Sequence, residues 1–215
     1  MIRVGAVIAL FWAVAQALAN QLPREHTFDT DKVGQPPATF EFAAMRQDTP
    51  GRWLVRRDGS NGALVHEADA AAAGYALALS PASPLRDLEA SVRVRLAGGT
   101  RAGGLVWRYR DPQHYYATVL DLVEGELALF RVTEGNRTFL EREDDLELDP
   151  NAWHTLRVVH DESRIVVSLG GIRVFEERDR RYDRDETGRT GVIAAGEAEA
   201  WFDDLRIEPE RRRRR

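Results

Sequence analysis

The chain contains no cysteine and a single lysine, Lys32. The lack of cysteine excludes disulfides, thiolate-bound zinc, lipid attachment through sulfur and a cysteine nucleophile. A fold without such staples is held by its core, and 215 residues with 43% hydrophobic side chains can build one. No segment carries helical periodicity over three turns. There is no phosphate-binding loop, no dinucleotide fingerprint and no G-x-S-x-G nucleophile elbow. No cofactor is called for by any motif.

What the chain has in quantity is arginine and acid. The formal net charge is −5. The last five residues, Arg211 to Arg215, are all arginine, and removing their five charges leaves −10. An acidic body argues against nucleic acid as a partner. The arginine run (211–215) reads as a solvated tail.

The N-terminus has one early charge, Arg3, followed by Val4 to Ala19, which is apolar or small except for Gln16. Ala17-Leu18-Ala19 places small residues at the −3 and −1 positions of a cleavage site. This is the pattern of a signal peptide over residues 1–19, and it predicts export to the periplasm or beyond the cell. The run is short for a membrane span of about 20 residues, so no stable span is expected once it is removed. One domain is expected over 20–210.

Within that domain, short β-rich runs alternate with Gly, Pro, Asp and Asn. Leu88, Ala90, Val92, Val94 and Leu96 point one way along a strand and Glu89, Arg93 and Arg95 the other, as in a strand with one wet face. Arg164 to Leu169 and Ile172 to Phe175 flank Gly170-Gly171, a tight-hairpin signal. Evenly spaced strands of this kind predict an all-β sandwich or barrel.

A longer pattern lies at Ala102-Gly103-Gly104-Leu105-Val106-Trp107-Arg108-Tyr109-Arg110-Asp111-Pro112, continuing through His114-Tyr115-Tyr116. Trp153-His154-Thr155-Leu156-Arg157-Val158, Gly188-Arg189-Thr190-Gly191-Val192 and Phe202-Asp203-Asp204-Leu205-Arg206-Ile207 follow in order. The succession resembles a bacterial exported family of concanavalin A-like, LamG-like jelly rolls related to the 3-keto-disaccharide hydrolase domain. The resemblance covers essentially the whole domain. It implies a jelly roll and a carbohydrate-related role. The opening Phe28 to Pro37 departs from the Leu-Phe-Asn-Gly-like start of the hydrolase branch and resembles branches without assigned catalysis.

Three sets of residues are candidates for chemistry. Trp107, Arg108, Tyr109, Tyr115 and Tyr116 combine sugar-stacking rings with hydrogen-bonding groups. Strand alternation puts Trp107 and Tyr109 on one face and Arg108 on the other, which would be the binding face if concave. Glu143, Asp145 and Glu147 have a spacing that would align three carboxylates on one strand face, as a retaining glycosidase needs two about 5–5.5 Å apart. An exposed, charge-protected edge is the competing reading of that run. Asp29, Asp31 and Asp203 lie near the two ends of the domain, where terminal strands meet, and could hold a structural Ca²⁺. Ordinary turn chemistry is the alternative there. The resulting expectation is a glycan-binding or cell-envelope module. A glycoside hydrolase and a purely structural or protein-interaction domain are the alternatives.

Overall fold

The computed structural model describes residues 24–45, 49–69, 74–82, 84–97, 102–149, 151–181 and 186–210. The expected signal peptide and the arginine tail lie outside the described residues. The strands are β1 (Arg24–His26), β2 (Glu41–Ala44), β3 (Arg52–Asp58), β4 (Asn61–Glu67), β5 (Tyr75–Leu79), β6 (Leu88–Ala97), β7 (Ala102–Asp111) and β8 (His114–Asp121). They continue as β9 (Glu126–Thr133), β10 (Asn136–Glu143), β11 (His154–Asp161), β12 (Arg164–Leu169), β13 (Ile172–Arg178), β14 (Arg189–Ala195) and β15 (Glu199–Pro209).

They form two antiparallel sheets. Sheet A runs β13-β12-β11-β6-β15-β4-β3, with β1 also on β15, and sheet B runs β10-β9-β8-β7-β14-β5-β2. The chain changes sheet between β5 and β6, between β6 and β7, and on both sides of β14, so neighbours in sequence face each other across the core. This is an all-β, two-sheet antiparallel jelly-roll sandwich, one of the two architectures the strand pattern allows and the one the resemblance implies.

The alternation along β6 explains the packing. Leu88, Ala90, Val92, Val94 and Leu96 are all at most 1% exposed, while the residues between them are half-buried. They meet Leu105, Trp107, Tyr116, Leu120, Leu127, Leu129 and Val192 from sheet B. A fully buried side chain of this size contributes about 1.5–3 kcal/mol, so this layer carries most of the stability. Gly170 and Gly171 both adopt positive φ (58° and 83°) between β12 and β13, the conformation that the hairpin signal requires.

Sheet B has a second apolar layer on its outer face. Leu77, Leu79, Val106, Tyr109, Tyr115, Ala117, Val119, Ala128, Phe130, Val132 and Ile193 form a cluster separate from the core. Apolar side chains on both faces make these strands near-continuous hydrophobic runs rather than alternating ones.

Candidate functional site

The five aromatic and basic residues expected to bind together are divided between the two faces of sheet B. Trp107 and Tyr116 are cross-strand partners and stack in the core with ring centroids 5.9 Å apart. Beyond Trp107 the register breaks: Trp107 faces Tyr116 but Asp111 faces His114. Three residues of β7 therefore oppose Tyr115 alone. Arg108 takes φ 48° at this break, and a Cβ on Gly188 would stand 2.2 Å from its carbonyl carbon, so only glycine fits opposite it. The break reverses the alternation. Trp107 and Tyr109 do not share a face: Trp107 lies inside and Tyr109 outside.

Arg108 does not reach the concave face either. Its side chain is 1% exposed. Its Nε donates to the Arg86 carbonyl at 2.7 Å, and Nη2 lies 3.4 Å from Asp87 Oδ1 and 3.5 Å from the Glu162 carbonyl. Trp107 Nε1 donates to His160 Nδ1 at 2.9 Å. Burial, with the Arg108 charge adding, holds His160 well below its usual pKa and so neutral. The Tyr116 hydroxyl donates to Asp179 Oδ2 at 2.8 Å, where Arg131 also donates. Burial, and then the Asp179 charge, push the Tyr116 hydroxyl far up. This network ties β7 of sheet B to β11 of sheet A through Trp107 and His160, and β8 and β9 to Asp179, just after β13. The sequence motif around Trp107 and Arg108 thus builds a buried polar clamp.

Tyr109 and Tyr115 sit together on the outer face, centroids 6.0 Å apart. Around them are the Glu41–Arg189 ion pair and the Asp111–His114 pair at 2.9 Å. The Glu134 N–H donates to His114 Nε2, which leaves Nδ1 to carry the proton facing Asp111. Burial opposes ionisation of Asp111, but bonds from His114 and the Gln113 N–H outweigh it and hold the carboxyl below its usual range. Tyr109 is raised by burial and by the nearby charges of Glu41 and Asp111.

The shape of this face follows from one contact. Tyr75 on β5 and Phe130 on β9 are separated by β14, β7 and β8. Four strand spacings of about 4.8 Å put them roughly 19 Å apart along the sheet, yet their ring centroids are 6.2 Å apart. Sheet B is therefore curled with its outer face concave. The Arg137 charge also acts across the trough on the Tyr75 hydroxyl. The trough has an apolar floor of Val106, Ala117, Val119 and Ile193, all buried. Tyr109, Tyr115, Glu41 and Arg189 lie at one end and Tyr75, Phe130 and Arg137 at the other.

The outer face of sheet A differs. Arg95 on β6 pairs with Trp201 on β15, and Trp153 lies immediately before β11, whose first residue His154 pairs with Val94. Arg93 and Arg95 stand over Trp153 at 5.0 and 4.9 Å, and Arg95 and Arg56 over Trp201 at 4.8 and 5.9 Å. Trp153 Nε1 and Arg95 both donate to Asp58 at 3.0 Å, and Trp201 Nε1 donates to Glu199 at 2.9 Å. Each indole is packed under two guanidiniums with its N–H already bonded.

The two acidic candidates come out unevenly. β10 ends at Glu143, and Asp145 has φ 62°. The period-2 alignment of Glu143, Asp145 and Glu147 is not formed, because an interrupted strand has no common face. Asp29 Oδ1 accepts from the Gly62 N–H at 2.7 Å. Asp203 Oδ1 accepts from the Asp204 N–H at 2.7 Å. Burial, with the Asp204 and Asp29 charges, pushes Asp203 up to about 6. Asp31 acts on His26 instead. Among the described residues no group of three or more His, Asp or Glu gathers to hold a metal ion.

No protein-family profile matches the chain, and no curated protein does. Solved structures match it. The carbohydrate binding module CBM66 from Bacillus subtilis is 18% identical, with a TM-score of 0.63, over 78% of this chain and 94% of that one. Domain 4 of AbnA, a GH43 extracellular arabinanase from Geobacillus stearothermophilus in complex with arabinotriose, is 14% identical, with a TM-score of 0.59, over 86% and 90%. A prokaryotic β-1,3-1,4-glucanase (lichenase) derived from a mouse hindgut metagenome is 12% identical, with a TM-score of 0.58, over 87% and 99%. At these identities the likeness is one of fold, and fold leaves function to the site.

Proposed function

We propose that the chain is an exported carbohydrate-binding module without catalysis, whose ligand contacts the rims of the concave trough of sheet B. The observation that carries the reading is the Tyr75–Phe130 contact across three intervening strands. It shows a curled sheet with aromatic and charged side chains at both ends. Rings with adjacent charged hydrogen-bonding groups suit sugars, which present apolar faces and a belt of hydroxyls. Several proteins of this fold are carbohydrate-binding modules or glycan-processing domains by their descriptions, which supports the same reading. The Glu143–Glu147 run supplies no aligned carboxylate pair for hydrolysis, so binding is favoured over turnover. Export rests on residues 1–19.

Thermal-shift measurements of the purified protein against neutral and acidic glycans test the reading, because a ligand of the native state raises Tm by mass action. A shift that disappears in Tyr109→Phe combined with Glu41→Gln is the expected result. No shift with any glycan would leave a structural or protein-interaction domain as the account.

A further inference from the structure

The far rim of the trough holds an arginine in an unusual setting. Arg137 projects from β10, the edge strand of sheet B. Its guanidinium carbon stands 5.4 Å from the Phe130 ring centroid and 4.9 Å from that of Phe139. Its charge acts on the Tyr75 hydroxyl on the opposite side of the trough. Phe139 is itself 42% exposed, so the assembly faces solvent.

The other partly exposed arginines described above have carboxylates. Arg142, the next guanidinium along β10, pairs with Glu126 at 2.9 Å. Arg56, Arg93 and Arg95 pair with Glu199, Asp204 and Asp58. Among the described residues Arg137 has no carboxylate within ion-pair distance, and its close contacts are aromatic rings. A guanidinium has five N–H donors in a planar fork, and ring contacts leave that fork open. Aromatic rings beside the fork hold its plane and displace water from it, which strengthens its attraction for an anion. The acidic groups acting at Tyr75 are Asp121 and Glu126. Glu126 is engaged by Arg142, and burial raises its pKa.

We infer that Arg137 is an anion contact of the trough and that the ligand is an acidic glycan, whose carboxylate takes the open edge of the fork. The inference rests on the reading of this face as a glycan-binding surface. A bidentate carboxylate–guanidinium pair fixes direction as well as charge. The Glu41 and Arg189 side chains at the Tyr109 end would then contact the uncharged part of the chain, while Arg137 sets which glycans are accepted.

Calorimetry on the full protein with polygalacturonate, its fully methyl-esterified form and a sulfated galactan tests this, with neutral arabinan and laminarin alongside. The ester removes the charge and keeps the backbone. Polygalacturonate is expected to bind about tenfold or more tightly than its ester. Arg137→Gln is expected to erase the difference while Tm stays close to the parent, since the side chain is exposed. Equal binding of acid and ester, or a preference that survives Arg137→Gln, would overturn the role of Arg137 and leave the glycan reading standing. Tighter binding of the sulfated galactan would overturn the carboxylate assignment. No binding to any of the five would remove both.

Discussion

Tyr115 and Tyr116 are adjacent in sequence, and both are nearly fully buried, but they belong to different parts of the molecule. Tyr116 points between the sheets, stacks on Trp107 and donates to an aspartate that Arg131 also holds. Tyr115 points outward and packs on Tyr109 at the end of the trough. The inner face of sheet B spends its polar groups on one another, whereas the outer face places its charged groups at the rims. The same strands thus separate stability from recognition by the period-2 alternation of a β-strand. A motif rich in Trp, Arg and Tyr is not evidence of a ligand until the face of each residue is known.

Changes that break the inner network should have the largest effects. Asp179→Ala leaves Arg131 charged and Tyr116 without its acceptor inside the sandwich, and Arg108→Ala empties a buried site and removes its bonds to the Arg86 and Glu162 carbonyls and to Asp87. Removal of one partner of a buried pair costs about 3–5 kcal/mol, so urea or thermal unfolding should show a large loss for either variant. Tyr116→Phe removes only the hydroxyl and should cost about 1–1.5 kcal/mol. If Asp179→Ala unfolds no more easily than the parent protein, the clamp is not holding the sheets together.

The outer face of sheet A gives a smaller effect. Arg95→Ala removes the guanidinium that stands over both indoles and its bond to Asp58. Cation–π contacts at exposed sites contribute about 0.5–1 kcal/mol each, so a loss of about 1–2 kcal/mol is expected, with no change in glycan binding. A loss of binding in this variant would move the recognition surface from sheet B to sheet A.

A pH titration gives the smallest effect and tests Asp203. Its carboxyl is pushed up to about 6 in the folded protein, against about 3.9 for an unperturbed aspartate. A raised carboxyl binds its proton more tightly when folded. Its contribution is therefore fully present below the unfolded pKa and is lost as pH rises through about 6. Asp203→Asn should reduce the fall in Tm between pH 5 and pH 7, and an unchanged Tm profile would contradict the burial assigned to this side chain.

Much of the fold was legible because alternation in β6 and the Gly170-Gly171 turn report local geometry directly. The site was less legible, for two physical reasons. Arg108 adopts positive φ, a conformation that residue type does not announce outside glycine, and this single residue reversed the expected faces of the motif. Tyr75, Phe130 and Arg137 come together through sheet curvature, and Trp153, Arg95 and Trp201 through pairing of three strands distant in sequence. Neither has a local signal beyond the presence of aromatic and arginine residues on strands. The acidic run after Phe139 looked aligned only on the assumption that its strand continues past Glu143.

The most direct test of the account is a paired measurement of glycan affinity and melting temperature for two variants, Tyr109→Phe combined with Glu41→Gln on the trough and Tyr116→Phe in the network. The account predicts that the trough variant loses affinity with little change in Tm, and that Tyr116→Phe melts earlier but binds as the parent does while folded. Affinity lost in Tyr116→Phe and retained in the trough variant would contradict the division of labour between the two faces of sheet B.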